Sequence, residues 1–264
     1  MSRVVMITAC HKACPTPADE LYLPVHVGSV GNDSIGFQRD DEGDNISNLN
    51  PKYCELTGLY WAWKNLDYDY LGLSHYRRYF SLHKKNDDLN SVLTLSEAMR
   101  LLNKYKVIVP KKRRYYIESL YSHYAHTFDG HHLDVTRKVL EQKYPEYLSA
   151  FDIVMKQTSG YMFNMFIMPR DLCDIYFSWL FDVLAELNNR IDAQAMTDFE
   201  KRYIGRISER LFNVWLLYMQ ETNQLQKDDI HEIPYMYLGK INWCRKIAGF
   251  LGAKLFHKKY DRSF

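Results

Sequence analysis

The chain has 264 residues, of which 47% are hydrophobic and 25% are charged, a composition typical of globular proteins. This composition excludes a disordered tail, a collagen-like repeat and a small disulfide-stapled scaffold. The formal net charge is +2, from 34 Lys and Arg against 32 Asp and Glu, so we expect no nucleic-acid partner. Aromatic residues make up 15% of the chain. We expect most of them in the core, and sugar- or base-stacking surfaces are the alternative.

No targeting or membrane-spanning segment is predicted. The apolar run over residues 4–10 ends at His11 and Lys12 and is too short for a signal peptide. No run approaches the roughly 20 apolar residues of a spanning helix. The five cysteines lack paired spacing and resemble reduced thiols. We therefore expect a cytoplasmic protein.

Strand and helix patterns alternate along the chain. Short apolar runs predict strands over residues 4–7, 70–74, 107–109 and 161–168. Helices are predicted from Asn50 and Pro51, from Thr94 with a capping box to Glu97, over much of 117–155, over 171–189, and from Ser208 as a cap. This alternation predicts an α/β fold with a mainly parallel central sheet flanked by helices. We assign residues 1–239 to a single domain and residues 240–264 to a C-terminal extension.

Polar residues follow two of the predicted strands, and ligands of open α/β sheets bind at the carboxyl ends of strands. Thr8, His11 and Lys12 follow the first strand, and His75, Arg77 and Arg78 follow the 70–74 strand. The cationic side chains suit a phosphorylated ligand. The alternative is that the two arginines are solvated or bind carboxylates structurally.

Asp67 and Asp69 form an Asp-x-Asp pair, a pattern that can hold Mg²⁺ or Mn²⁺ on a diphosphate. The pair precedes a predicted strand, however, and so lies at the edge away from the expected crevice. A structural turn is the preferred interpretation, with a metal site as the alternative. Without a metal, Arg77 and Arg78 would neutralise the leaving diphosphate.

The densest group of histidines contains His123, His126, His131 and His132, close to Asp129 and Asp134. His123 and His126 could share a helix face, as zinc ligands do. No second motif completes a metal site, so hydrogen-bonding or substrate-binding histidines are favoured. A metal-dependent hydrolase that uses residues 123–134 is the less favoured alternative.

Glu209 is the best single candidate for a general base. We expect it just inside the helix that Ser208 caps, where the helix dipole would stabilise its anion. It therefore needs burial or a neighbouring group to reach a useful pKa. The alternative is that Glu209 only complements the helix dipole.

Six motifs together resemble the DUF4422 family over about residues 3–235. They are ITACHK at 7–12, GDNIS at 43–47, YCELTGLYWAWKN at 53–65, GLSHYRRYF at 72–80, NMFIM at 164–168 and SERL at 208–211. The resemblance implies a GT-A-like fold and a glycosyltransferase of bacterial capsular or exopolysaccharide synthesis. Some members are linked to galactofuranose transfer. It also implies an acceptor-side position for Asn164, in the 161–168 strand.

Position and chemistry extend the resemblance to a site hypothesis. We expect a nucleotide-diphosphate sugar, with uridine as the nucleoside, to contact Thr8, His11, Lys12, Asp44, Asn45, His75, Arg77 and Arg78. Asn164 and Arg210 are expected to bind substrate, and Glu209, His123 or His126 to deprotonate the acceptor hydroxyl. Mn²⁺ or Mg²⁺ is an optional cofactor. A non-catalytic carbohydrate-binding or assembly subunit is the alternative function.

The extension over residues 240–264 carries seven Lys or Arg and one Asp, a charge of +6 against −4 for the rest of the chain. Trp243, Ile247, Phe250, Leu251 and Leu255 recur there at helical spacing. This pattern predicts an amphipathic helix on an anionic membrane surface. We therefore expect a peripheral protein at the inner face of the plasma membrane that acts on a lipid-linked glycan. A helix docked on the domain is the alternative.

Overall fold

A computed structural model describes residues 2–83 and 88–239. The predicted extension at 240–264 lies outside the described residues. Within them, the strands are β1 (Val4–Cys10), β2 (Tyr22–His26), β3 (Gln38–Arg39), β4 (Tyr70–His75), β5 (Arg78–Phe80), β6 (Val107–Pro110), β7 (Arg113–Arg114), β8 (Ser159–Gly160), β9 (Ile167–Pro169), β10 (Ile230–Ile233) and β11 (Tyr235–Tyr237). The α-helices are α1 (Asn50–Tyr53), α2 (Leu56–Asn65), α3 (Leu95–Leu102), α4 (Leu120–Thr127), α5 (His131–Lys143), α6 (Leu148–Lys156), α7 (Arg170–Arg190) and α8 (Tyr203–Glu221).

The central sheet is mainly parallel and has the order β10-β6-β9-β4-β1-β2-β3. Strand β1 pairs in parallel with β2 and β4, and β10 pairs in parallel with β6. Strand β9 runs antiparallel to β4 and β6, and β5 and β11 extend the sheet beside β4. The carboxyl ends of β1, β4 and β6 therefore meet at one edge, together with the amino end of β9. The α/β fold predicted from the alternating pattern is confirmed.

Side chains of the sheet supply cores on both of its faces. Along β1, Val5 and Ile7 pack into the larger core under α2, α7 and α8, and Val4 and Met6 face a smaller core that includes α3. Because successive strand residues point to opposite faces, a strand covered on both sides must be apolar throughout. None of the described helices is both long and apolar enough to cross a membrane.

Three local predictions were wrong, and all three concern the candidate site. The helix predicted from Asn50 is interrupted at Cys54, whose φ of 53° separates α1 from α2. The strand predicted over 161–168 is reduced to β9, because Phe163 and Asn164 adopt left-handed φ values of 74° and 54°. Such values do not fit an extended strand.

Ser208 does not cap a helix, because α8 begins at Tyr203 and carries Ser208 in its second turn. The Ser208 hydroxyl is fully buried and donates to the carbonyl of Gly205. Glu209 consequently lies inside α8 rather than at its start. The dipole of an exposed first turn therefore does not stabilise its anion, since that effect is confined to the helix end.

One buried carboxylate organises the loop after β2. Asp40 is fully buried and accepts five hydrogen bonds, from the N–H groups of Gly28 and Ser29 and the hydroxyls of Ser29, Ser47 and Thr57. Thr57 belongs to α2, so this network attaches the loop to the helix that precedes β4. A buried charge persists only when it is saturated with donors in this way.

We expect Asp40→Ala to lower the free energy of unfolding by about 3 kcal/mol, because it leaves buried donors without an acceptor. Urea unfolding of the full chain measures the change. The control is Asp33→Ala, an exposed carboxylate in the same loop, which should change stability by less than about 0.5 kcal/mol. A loss below about 1 kcal/mol for Asp40→Ala would contradict a stabilising role for the network.

Candidate functional site

Cationic and aromatic side chains meet where β1 and β4 end. The ring of His11 packs edge-on against Tyr76 with 5.0 Å between the ring centroids, and Lys12 Nζ lies 5.9 Å from the Tyr76 centroid. Loss of solvation lowers the pKa of His11, and the charges of Lys12, Arg202, Arg77 and His26 lower it further. The imidazole is thus held neutral among positive charges, and an anion is the ligand that this surface favours.

The peptide groups of Phe163 connect the β4 loop to α8. His75 Nε2 lies 2.6 Å from the Phe163 carbonyl oxygen, and the Phe163 N–H donates to Glu209 Oε1 at 3.0 Å. The Arg78 guanidinium stacks on the Phe163 ring, with 4.5 Å from Cζ to the centroid. Phe163 therefore brings the loop that follows β4 next to Glu209.

The side chain of Asn164 joins three further segments. Its amide nitrogen donates to Glu55 Oε1 at 2.8 Å and to the Gly205 carbonyl at 3.3 Å, and its oxygen accepts from Ser208 Oγ at 3.1 Å. Asn164 is 3% exposed, so its amide serves structure rather than solvent. Its left-handed φ of 54° suits asparagine, which tolerates this conformation.

Close backbone approach makes this junction possible. A Cβ atom on Gly205 would lie 3.2 Å from both Cβ and Sγ of Cys54, so a larger residue at this position of α8 would require Cys54 to shift. The left-handed φ of Cys54 then turns Glu55 into the N-cap position of α2, where it meets Asn164.

The carboxylate of Glu209 is half-buried and lies near both a positive charge, Arg210, and a negative charge, Glu55. Burial raises the pKa of Glu209, the Arg210 charge opposes this effect, and the nearby Glu55 carboxylate adds to it. Arg210 Nη1 lies 3.6 Å from Glu209 Oε2, and the Glu209 side chain keeps 21% of its surface exposed. A carboxylate with a raised pKa and access to solvent has the properties of a general base.

Arg210 itself is inaccessible. It is 3% exposed, its guanidinium stacks on Tyr124 at 4.6 Å, and its Nη1 donates to the Arg206 carbonyl. Arg210 thus contacts the Glu209 carboxylate from inside the protein. The sequence-based hypothesis that it binds substrate directly remains untested, and its observed contacts position Glu209.

His123 and His126 share one face of α4, as their spacing predicts, and both contact Glu118. Their Nδ1 atoms lie 2.8 and 2.9 Å from the two oxygens of this buried carboxylate. Burial lowers the pKa of His123 to about 4, against the opposing effect of Glu118. Among the described residues, no group of three or more His, Cys, Asp and Glu converges as metal ligands would.

Three predicted donor contacts are hydrogen-bonded within the protein. Thr8 is fully buried, and its hydroxyl pairs with that of Ser74 at 2.9 Å between β1 and β4. Asp44 is bound to Asn65 through its backbone groups, and Asn65 ends α2 close to the amino end of β4. Asn45 stabilises the same turn through the carbonyls of residues 41 and 43. Each of these three residues is thus bonded to groups of the protein itself, and their contact with the donor stays a prediction.

Asp67 and Asp69 lie at the amino edge of the sheet, opposite the crevice. The Asp69 carboxylate accepts from the Arg3 N–H at 2.6 Å, and Asp67 lies 3.8 Å from Arg170 and 4.0 Å from Arg3. These contacts fit a structural turn that ends between two arginines. The alternative of a metal site at Asp67 and Asp69 stays a prediction.

Four residues of the site were not assigned a role from the sequence: Glu55, Tyr76, Phe163 and Arg202. Glu55 and Tyr76 lie within the quoted motifs and could have been considered. Phe163 contributes its backbone groups, and Arg202 reaches the site only because α8 packs there. Neither role could be read from the spacing of residues in the sequence.

A pocket of about 80 Å³ lies on the side of α8 that carries Arg206. Arg206 lines it and lies three residues before Glu209 on α8, so both side chains emerge on the same side of the helix. Phe128, Phe199, Asp129 and Glu200 also line the pocket. It therefore combines aromatic surface with carboxylates and a cation.

We expect Asn164→Ala to lower the free energy of unfolding by about 3 kcal/mol, since it leaves buried partners of the amide unsatisfied. The matched control is Asn223→Ala, which shares a left-handed φ, 58°, but lies in an exposed turn. That variant should lose only about 1 kcal/mol, the cost of the conformation alone. Equal losses in chemical denaturation would show that the hydrogen bonds of Asn164 contribute nothing.

The raised pKa of Glu209 predicts how stability depends on pH. Above the ordinary value of 4.5, the unfolded chain releases a proton that folded Glu209 still holds. The free energy of unfolding therefore falls as pH rises from 4.5 to the folded pKa, and stays lowered above it. Glu209→Gln removes this loss and keeps an oxygen for the Phe163 N–H.

Denaturation of both proteins from about pH 4 to about pH 7 tests this prediction. The stability advantage of Glu209→Gln should grow with pH. Glu221→Gln, at the exposed end of the same helix, is the control and should show no such growth. An advantage that shrinks with rising pH would contradict the predicted environment of Glu209.

Three comparisons place the chain among known proteins. The model of DUF4422, a domain of unknown function, matches residues 5–221, and no curated protein matches. The apo structure of WbbM, a bifunctional glycosyltransferase, is similar with a TM-score of 0.82 and 30% sequence identity over 90% of this chain. The chain spans 46% of that chain, about half its length. The expected resemblance is confirmed, and the protein belongs to the DUF4422 family.

Proposed function

We propose that the protein is a glycosyltransferase that uses a nucleotide-diphosphate sugar. The observation that carries this proposal is the contact of Phe163 with both His75 and Glu209, which holds a cationic loop edge next to a carboxylate of raised pKa. Sugar transfer needs both parts, one for the leaving diphosphate and one for the acceptor proton. The similarity to WbbM supports the same class of reaction.

The donor diphosphate binds among His11, Lys12, Arg77 and Arg202 in this proposal. All three cations are close enough to His11 to lower its pKa. Arginine and lysine can neutralise the charge that develops on a leaving diphosphate without a metal ion. The Asp67 and Asp69 carboxylates, the alternative ligands of Mg²⁺ or Mn²⁺, lie at the opposite edge of the sheet, and no step is assigned to a metal.

The acceptor hydroxyl attacks the anomeric carbon of the donor sugar. As that bond forms, the bond from the anomeric carbon to the diphosphate oxygen breaks, and Glu209 takes the hydroxyl proton. The nucleoside diphosphate leaves with the electron pair, stabilised by Arg77 and Lys12. His123 is the less suitable base, since its pKa of about 4 and its bond to Glu118 leave it a weak proton acceptor.

In this proposal the acceptor glycan contacts the residues that line the small pocket around Arg206. Asp129 and Glu200 can accept hydrogen bonds from sugar hydroxyls, and Arg206 can donate them. Burial lowers the pKa of Arg206 to about 10, which leaves it positively charged at neutral pH. The guanidinium is held between the rings of Phe128 and Phe199, at 4.1 and 4.0 Å from their centroids.

The finer substrate proposal follows the family resemblance. We propose a uridine diphosphate donor, with galactofuranose as the first sugar to test, and a lipid-linked capsular or exopolysaccharide acceptor. Such an acceptor would be reached from the cytoplasmic face of the plasma membrane. The +6 charge of residues 240–264 supports a peripheral location there.

The test is a screen of nucleotide sugars for thermal stabilisation, followed by turnover of the sugar that binds. We expect Arg77→Ala to weaken donor binding about tenfold through the lost charge on the diphosphate. Glu209→Gln should retain donor binding and lose about 100-fold or more in turnover. Arg137→Ala, which removes a surface pair with Asp152 at 2.8 Å, is the matched arginine control.

The outcomes separate the alternatives. Binding of a nucleotide sugar without turnover in the wild type would favour a non-catalytic carbohydrate-binding subunit. Normal turnover in Glu209→Gln, with loss in His123→Gln, would transfer the role of base to the histidine. No stabilisation by any nucleotide sugar would contradict the proposed donor class.

A further inference from the structure

The two most exposed large hydrophobic side chains of the described residues follow directly after a run of four basic residues. Tyr116 is 81% exposed and Ile117 is 72% exposed, and no other large hydrophobic side chain of the described residues exceeds 47%. Lys111, Lys112, Arg113 and Arg114 immediately precede them. We name residues 111–117 the basic aromatic segment.

The backbone holds the two apolar side chains outward. The Tyr115 N–H donates to the Thr158 carbonyl, and the Tyr115 ring packs on His123 with 4.2 Å between centroids. On the other side, Glu118 is buried and contacts His123 and His126. Both ends of the turn are thus anchored in the protein.

Tyr116 adopts a left-handed φ of 57° between these anchors. For a bulky residue this conformation costs on the order of 1 kcal/mol, and it persists only where surrounding contacts impose it. Tyr116 and Ile117 are held in solvent by these contacts, so their apolar surface contributes no burial energy to the fold. Contact with an apolar partner would recover that exposed area.

The charges of the segment indicate which partner fits. No ion pair forms at Lys111, Lys112, Arg113 or Arg114 within the described residues, and three of the four are exposed. Three acids of the neighbouring elements have other partners. Glu118 is buried between two histidines, Asp134 accepts from Tyr121, and Glu232 accepts from Tyr161.

The basic aromatic segment also lies at the same edge of the sheet as the candidate site. It follows the carboxyl end of β6, and Arg113 is close enough to Glu209 to lower its pKa against the larger effect of burial. A surface that receives Tyr116 and Ile117 would therefore lie beside the opening of the crevice.

We propose that the basic aromatic segment docks on an anionic phospholipid bilayer. Tyr116 and Ile117 insert at the level of the headgroups, and Lys111, Lys112 and Arg114 contact lipid phosphates. Aromatic and aliphatic side chains beside cations are the combination that anchors peripheral proteins at anionic interfaces. This contact goes beyond the proposed sugar transfer and is independent of residues 240–264.

Sedimentation of the full chain with vesicles tests the proposal, using phosphatidylcholine alone and phosphatidylcholine mixed with phosphatidylglycerol. The wild type should bind the mixed vesicles. The double variant Y116N/I117S should bind them about tenfold more weakly. Asparagine is chosen at position 116 because it tolerates the left-handed φ, so the turn is retained.

A second variant, K111Q/K112Q/R114Q, should show a weaker preference for the anionic vesicles than the wild type, while the apolar pair and residues 240–264 remain. The matched control is I153S/I175S, which removes two other exposed isoleucines, 43% and 44% exposed, and should bind like the wild type. Thermal unfolding confirms that each variant is folded. Thermal stabilisation by the nucleotide sugar should be the same for Y116N/I117S and the wild type.

Unchanged vesicle binding of Y116N/I117S would overturn the proposal and assign membrane contact to another part of the chain. Absence of vesicle binding by the wild type would overturn it as well, and would direct attention to a protein partner for the apolar pair. Because the readout is binding to lipid, neither outcome depends on whether the protein transfers a sugar.

Discussion

The candidate site depends on two consecutive residues in left-handed conformation, Phe163 and Asn164. The peptide groups of Phe163 contact His75 on one side and Glu209 on the other, and the Asn164 amide contacts Glu55 and α8. Left-handed backbone in two successive non-glycine residues is costly and persists only when several contacts impose it. The strain and the hydrogen bonds belong to the same turn, which is the arrangement expected where a fold holds side chains for chemistry.

Burial has opposite consequences on the two sides of this turn. On the β1 side, positive charges and loss of solvation keep His11 neutral among Lys12 and Arg77, a surface prepared for an anion. On the α8 side, burial and the Glu55 carboxylate raise the pKa of Glu209. A low-dielectric environment strengthens each effect, so the diphosphate site and the base site can lie close together and remain chemically distinct.

Much of the fold follows from local patterns. The buried strand β1, the capping box of Thr94 and the turn at Asp67 all appear where the residue types predict them. These features depend on residues within one turn or one strand, so their physics is visible in the sequence. The helix break at Cys54 has no such local cause, since it brings Glu55 to a partner more than one hundred residues away.

The sequence by itself determined the α/β architecture and the cationic residues that follow β1 and β4, because hydrophobic periodicity and the rule for strand ends are local and general. Only the tertiary structure decided which polar residues share the site. It placed Asp44 against the end of α2 and Glu209 inside α8, beside Phe163. Contacts between distant segments depend on how helices and strands pack, and packing is a property of the whole chain rather than of any one motif.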